Sequence, residues 1–477
     1  MAQDRARLDQ IFRTKIGHSL RGELMDTVQT QVAAPRRNWL VAAWYGLSVL
    51  LIVSILSNIN RALLQIVGEP LRISLGLTDG HLGMLNGLAL TLVSAIGAIP
   101  LGWLADKIDR RLLLGVCVLI WSGATIVFGL STSFNILFIA AMGIALGEAV
   151  VGPITYSAIP DLFPRDKWAL ANSIFVFAIL IGSYGGFALS GVLFAWVSEH
   201  SAALPQWIGG HEPWRTTLIL SAFSGPIAVL LIASMRLKRK AMPESTGEKI
   251  DGFMTYFRRH YRSILGIFIG FGLSYSIFGA SSVWTPVILQ RTFGIGPAEV
   301  GKTIGTFGMM FSVLGVIAGY LCVKHLRPRY GDFTPMIVAQ WALLVGVVIS
   351  CFTPFVQSAT QYYVIVISKV MFMFMATSLT PTIIQTLAPR RMLGRVAGLA
   401  GMIAFGFQSI FPWLIGEVSD SFFTGPRGIL LAMSMVILPA LIIGLLVVRW
   451  GAVTIPATLR EVAAEDEATD AKAAAAA

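Results

Sequence analysis

Apolar positions in this chain do not alternate with polar ones; they gather into six long stretches, a polar break rich in basic residues, and six further stretches. A run of about 20 apolar residues crosses the hydrocarbon core of a bilayer as an α-helix, which satisfies its own backbone polar groups. Hydropathy places such helices at 39–67, 81–104, 112–131, 135–158, 168–197, 214–235, 263–290, 299–323, 333–354, 359–386, 393–417 and 428–449. The pattern predicts an all-α membrane protein with twelve transmembrane helices in two six-helix bundles, residues 38–235 and 263–450, joined by a basic cytoplasmic linker at 236–262. The first stretch is too long for a signal peptide and no small-residue cleavage site follows it, so it is expected to be retained.

The flanks are different material. Within residues 1–37, Leu8, Ile11, Phe12, Ile16, Leu20, Leu24 and Val28 recur at helical spacing among charged residues. That spacing fits an amphipathic helix on the membrane surface, with a solvated helix or tail as the alternative. Residues 451–477 turn into Ala, Glu and Asp beyond Ile455, and the tail is expected to be disordered.

Composition narrows the class: 55% hydrophobic and 13% charged residues lie far from the soluble average. The net charge of +11 comes largely from loops. Arg36 and Arg37 precede the first helix, Lys107, Arg110, Arg111, Arg165, Lys167, Lys324, Arg327, Arg329, Arg390, Arg391 and Arg395 fill alternate loops, and the linker is basic. The opposite loops hold little beyond Arg72, Arg215, Arg291, Lys302 and Arg427. By the positive-inside rule both termini and the linker are expected in the cytoplasm. Such charges suit anionic lipid headgroups, and nucleic acid is not implied.

An internal repeat sets the architecture. A shift of 218 positions lays Gly76 on Gly294, Gly83 on Gly301, Gly87 on Gly305, Ser94 on Ser312 and Gly97 on Gly315. Parallel repeats place a substrate site near the midplane, between halves that rock around it. The repeat also disposes of a false lead: Gly296, Gly301, Lys302 and Thr303 fit the phosphate-loop pattern, but a membrane helix rather than a strand precedes them.

Gly102, Asp106, Lys107, Arg110 and Arg111, between the second and third helices, resemble the G-x-x-x-D-[RK] signature of the major facilitator superfamily. The resemblance implies that superfamily's fold and a cytoplasmic gate at this loop, with Asp106 facing the start of the eleventh helix near Gly394. The second copy has Gly319 and Lys324 but Val323 where the acid would stand. The run Gly147, Glu148, Ala149, Pro153, Ser157, Asp161, Phe163 and Pro164 is similar to the spinster-like branch, as are Asn60 and Arg61, Trp284 and Pro286, and Pro412, Gly416, Ser419 and Asp420. That branch includes lysolipid and sphingolipid transporters. It usually carries Asp before the first-helix Arg and a basic residue shortly before the G-E-A run, where this chain has Asn60 and Ala141. The branch's acids are associated with proton coupling, so coupling would fall to Glu148, and the gate set extends to Asp161.

Physical chemistry singles out Glu148 independently. A carboxylate near mid-membrane costs about 2.5 to 3.5 kcal/mol, so it is protonated, paired or wet, and is functional by default. Arg61 and Lys369 are the candidate cations. Shifting Glu148 by the repeat offset lands within a turn of Lys369, which suggests an acid and a base facing one central cavity, whereas Arg61 can also snorkel to the outer surface. A cavity with two cations and one acid favours an anionic or zwitterionic substrate. Asn60 and Gln408 add hydrogen-bonding capacity, and Tyr156, Tyr184, Tyr275 and Phe278 are candidate walls, although each aromatic alone fits a lipid-facing or core position as well.

The six His are scattered and Cys117, Cys322 and Cys351 have no ligand spacing, so no metal, cofactor or disulfide is expected. No catalytic motif appears and an enzyme is not expected. The sequence reading is a monomeric secondary transporter of an amphipathic, lysolipid-like molecule by alternating access, with proton coupling through Glu148. The alternatives are a transporter of small organic or sugar acids and a transport-inactive ligand sensor.

Overall fold

The computed structural model describes residues 36–105, 107–235, 250–389, 392–462 and 464–465. Among these residues twelve helices are long and apolar enough to cross a membrane, and no strand occurs. They are α1 (Val41–Ile66), α2 (Asp79–Ala105), α3 (Arg110–Leu130), α4 (Phe134–Leu162), α5 (Leu170–Ala203), α6 (Pro213–Ser234), α7 (Phe253–Phe293), α8 (Pro297–Tyr330), α9 (Thr334–Phe355), α10 (Ala359–Ile384), α11 (Arg395–Phe422) and α12 (Gly428–Ala452). Each overlaps one of the twelve apolar stretches. The chain is an integral, multi-pass membrane protein.

Polar residues start the helices where hydropathy alone leaves the ends soft. Thr78 and His81 form a reciprocal capping box at the start of α2, the Asp109 carboxylate accepts from the Arg111 amide before α3, and Ser358 accepts from Gln361 before α10. Arg111 hydrogen bonds also hold the Asp109 carboxyl below its usual range.

Two segments differ from the expectation. The stretch 250–262, read as linker, is already helical and meets the rest of α7 across a kink at His260, whose backbone is non-helical (φ −112°, ψ 16°). The disordered tail is corrected over 455–462, which forms a helix beyond α12. Ile455, Thr458 and Val462 bury one face of it against the start of α7, where Thr458 meets Ser263 at 2.9 Å and His260 at 3.1 Å, and Glu461 pairs with Arg259. The Ala, Glu and Asp that dominate beyond Ile455 suggested a tail unable to build a core, yet three buried residues at helical spacing dock its first turns. The proposed amphipathic segment before residue 36, linker residues 236–249 and the tail after 465 lie outside the described residues.

The apolar core is divided in a way that matters for function. One cluster joins both halves, including Leu63, Ile66 and Leu82 from the first and Trp284, Ile288 and Ile415 from the second. Two others are separate, one confined to the N-terminal half around Leu114 and Ile154 and one to the C-terminal half around Phe271 and Ile383. The halves are therefore welded at the end that carries Arg72 and Arg291, and part toward the end that carries the basic loops.

The repeat is visible in the backbone. Gly76 and Gly294 both take left-handed conformations (φ 61° and 67°), as a helix stop before the next span requires. Gly83 and Gly87 of α2 lie against the backbone of α11 at Pro412 and Ser409, and Gly301 and Gly305 of α8 lie against that of α5 at Phe187 and Tyr184. Equivalent helices thus cross at equivalent glycines, where a Cβ would strike the opposing carbonyl. Gly301 in the phosphate-loop look-alike packs against Phe187 and Gly191 of α5.

Candidate functional site

Between the halves lies a cavity of about 180 Å³, lined by helices of both. Its charged group is Arg61 of α1. The Arg61 Nε donates to Glu148 Oε2 of α4 at 2.6 Å, and Nη2 donates to Ser94 Oγ of α2 at 2.7 Å, which in turn donates to the Ala145 carbonyl. The Asn60 amide donates to the other carboxylate oxygen of Glu148 at 3.3 Å. Glu148 is buried while the Arg61 side chain is about a third exposed to the cavity, so the pair is an inward-pointing acid with a cation between it and the open space. An Asp at position 60 would set a second carboxylate against Glu148; the amide offers a donor instead.

The structure therefore pairs Glu148 with Arg61 rather than with Lys369. Lys369 is on α10 and lines a separate small cavity within the C-terminal half. Arg61 does not snorkel outward. Gln408 and Tyr184 line the central cavity. Tyr156 is 50% exposed, packs edge-on against Phe175 and does not line the cavity. The side chains of Tyr275 and Phe278 lie outside the described residues. The wall mixes polar groups such as Gln65, Asn86 and Ser183 with Leu90, Phe187 and Val366, and Gln65 donates across the halves to Ser282.

The sealed end holds a charged latch that the sequence reading missed. Arg291, at the end of α7, donates to both oxygens of Glu69 (3.0 and 2.7 Å) and of Asp79 (2.8 and 2.7 Å), all from the other half. Arg72 also binds Glu69, and Ser419 of α11 donates to Asp79 at 2.8 Å. The Asp420 carboxylate of α11 accepts from the amides of Asp79 and Gly80, capping the first turn of α2 from the opposite half. Burial would push the Glu69 carboxyl up, yet hydrogen bonds from Arg72 and Arg291 hold it below its usual range. The available signal was acids and arginines at the ends of otherwise apolar stretches, read singly as loop charges.

At the basic end, the expected gate residues make ties within the N-terminal half. Arg110 donates to Asp161 at 2.6 Å and to the Ser157 carbonyl, Arg111 binds Asp109 and the Met235 carbonyl, and Lys107 sits 3.6 Å over the Trp103 ring. Gly102 faces Pro153 of α4. Asp106 lies outside the described residues. On α11, Gly398, Gly401 and Gly406 have open space where a Cβ would point, whereas Gly416 abuts Asp79, so α2 and α11 diverge toward this end.

A family model described as Major Facilitator Superfamily matches residues 50–412. The chain belongs to that superfamily. Within the superfamily it is similar to spinster proteins. It is 26% identical over 318 residues to the protein spinster of Drosophila melanogaster, covering 64% of this chain and 49% of the fly protein. It is 25% identical over 409 residues to an MFS-type efflux pump of Mycolicibacterium smegmatis, covering 83% of this chain and 88% of the pump. Its fold matches the crystal structure of a bacterial homologue of the human lysosomal transporter spinster, in an inward-facing and unoccupied conformation. The TM-score is 0.72 at 19% identity, over 89% of this chain and 98% of that one. In this superfamily member, the latch and the Arg61–Glu148 pair occupy two levels of one path, one at the sealed end and one in the wall of the cavity.

Proposed function

We propose that the chain is a secondary transporter that carries an amphipathic anionic or zwitterionic molecule, lysolipid-like in character, by alternating access coupled to protons through Glu148. The observation that carries this reading is the Arg61–Glu148 ion pair in the wall of a cavity between halves that are welded at one end only. A buried carboxylate is tolerated because its cation is at hand, and that cation faces the space a substrate would enter. Proton transfer to Glu148 releases Arg61, which ties the charge of the cavity to the state of one group.

The bias of Lys and Arg toward the open end supports a cytoplasmic position for that end and with it an inward-facing conformation. Asp161, Arg110, Arg111 and Lys107 then form the cytoplasmic gate in its open arrangement. Both halves of the cavity come from one chain, so a monomer is the working unit, and the basic loops rest on anionic lipid headgroups. The mixed polar and aromatic wall and the spinster relatives support an amphipathic substrate. The modest cavity volume favours a second reading, a small organic or sugar acid.

The test is uptake into proteoliposomes of labelled lysophospholipid, sphingoid phosphate and sugar acid, with and without an inward pH gradient. Gradient-stimulated lipid uptake, abolished in Glu148→Gln, is the expected result. Gradient-independent uptake by the unmodified protein would overturn the coupling, uptake of sugar acids alone would select the second reading, and binding without accumulation would make the protein a sensor.

A further inference from the structure

A second cavity, of about 40 Å³, opens inside the C-terminal half among α7, α9, α10 and α12. Lys369 stands on its wall, only 7% exposed. Among the described residues its ammonium has no hydrogen bond and no ion pair. The sequence closes the question of a carboxylate partner from the surrounding helices, because α7, α9, α10 and α12 contain no Asp or Glu at all. The acid nearest in kind, Glu148, is engaged by Arg61 in the other half.

Ser281 provides a second observation. Its hydroxyl is buried and has no partner among the described residues. Ser281, Val366 and Val370 line this cavity and the central one alike, so the two adjoin at these residues. Much of the remaining lining is apolar, including Leu343, Met373 and Leu441. A buried ammonium without counter-charge and a buried hydroxyl without a partner are each costly, and one ligand group removes both costs at once. The group that does so is an anion that also accepts a hydrogen bond. Arg61 is the other cation on a cavity wall, but its guanidinium already serves Glu148 and Ser94.

We propose that this small cavity is an anion-binding branch of the central one, in which Lys369 and Ser281 hold the terminal anionic group of the transported molecule, a carboxylate or a phosphate. The rest of that molecule lies in the central cavity, since the branch has room for a terminal group only. The inference rests on the transport reading for the identity of its ligand. It divides the labour between the halves: Arg61 and Glu148 handle the proton in the first, and Lys369 handles the substrate's charge in the second.

The experiment is binding to the full chain in phosphatidylcholine nanodiscs, read from the thermal unfolding midpoint as a function of ligand concentration. The probes are dodecyl phosphate and gluconate, each beside an uncharged counterpart, dodecanol and sorbitol. At least one anion is expected to stabilise the protein, its counterpart not, and Lys369→Met to weaken that anion about tenfold or more. Ser281→Ala, which removes one hydroxyl and leaves the charge, is expected to weaken it by a smaller factor.

Equal anion affinity in Lys369→Met and the unmodified protein would overturn the site, as would equal binding of the uncharged counterpart or no stabilisation by either anion. If Lys369→Met fails to fold, unchanged affinity in Ser281→Ala would overturn it. Binding is read without flux, so Lys369-dependent binding with no uptake would sink the transport reading and leave this site standing.

Discussion

Arg61 and Glu148 show how much a single residue's identity can and cannot say. That an acid inside an apolar helix needs a partner is legible in the sequence, and so are the two candidate cations. The choice between them was not, because a repeat offset fixes height along a helix but not the direction in which a side chain points. Removing one member of a buried pair strands the other, so Arg61→Met is expected to destabilise the protein by about 3 kcal/mol. The double variant Arg61→Met with Glu148→Leu should recover part of that loss. Thermal unfolding in detergent checks both, and additive losses would mean that the two side chains do not depend on each other.

Glu69 carries a pH prediction. Its folded carboxyl is held below the usual range, so its contribution is fully present above the ordinary carboxylate value of 4.5 and is lost as pH falls through its lower folded value. Acidification below that window should therefore loosen the sealed end. Glu69→Gln should flatten the stability profile there, and an unchanged profile would show that Glu69 contributes nothing to the acid limb.

At the scale of the element, the spans were legible because the bilayer imposes its own length on every crossing. The glycines were legible only as a spaced pattern; which helix each would meet came from the packing. The α2–α11 and α5–α8 crossings repeat one another, with Gly83 and Gly87 in the first matched by Gly301 and Gly305 in the second. Gly87→Val would drive a side chain into the Ser409 carbonyl and part α2 from α11. The expected outcome is a sealed end that no longer closes, with slower uptake but an intact fold, measured as a longer spin-label distance between the ends of α2 and α11. The helix at 455–462 teaches the converse: a short docking stripe disappears into an average composition that looks disordered.

At the scale of the whole molecule, three clusters of core residues, one shared and two separate, describe a body whose halves share a core near the sealed end and part toward the other. Arg291 holds that end through two carboxylates of the opposite half. Arg291→Gln should weaken closure by about 2 kcal/mol, a roughly 30-fold shift in the ratio of the two states. The readout is labelling of Ser282→Cys, in a background without Cys117, Cys322 and Cys351, by an impermeant maleimide added from the Arg291 side. Faster labelling is expected, and no change would remove the latch from the gating cycle.

The sequence by itself determined the environment, the number of crossings, the two-fold repeat and the superfamily, because each of these follows from a local pattern that the bilayer or the repeat enforces on neighbouring residues. Only the tertiary structure decided that Glu148 turns to Arg61, that Lys369 is left with a cavity of its own, and that Glu69, Asp79, Arg291 and Asp420 meet at one end. Those partners are separated by dozens to hundreds of positions, and pairing at that range is set by how helices rotate about their axes when their small residues pack.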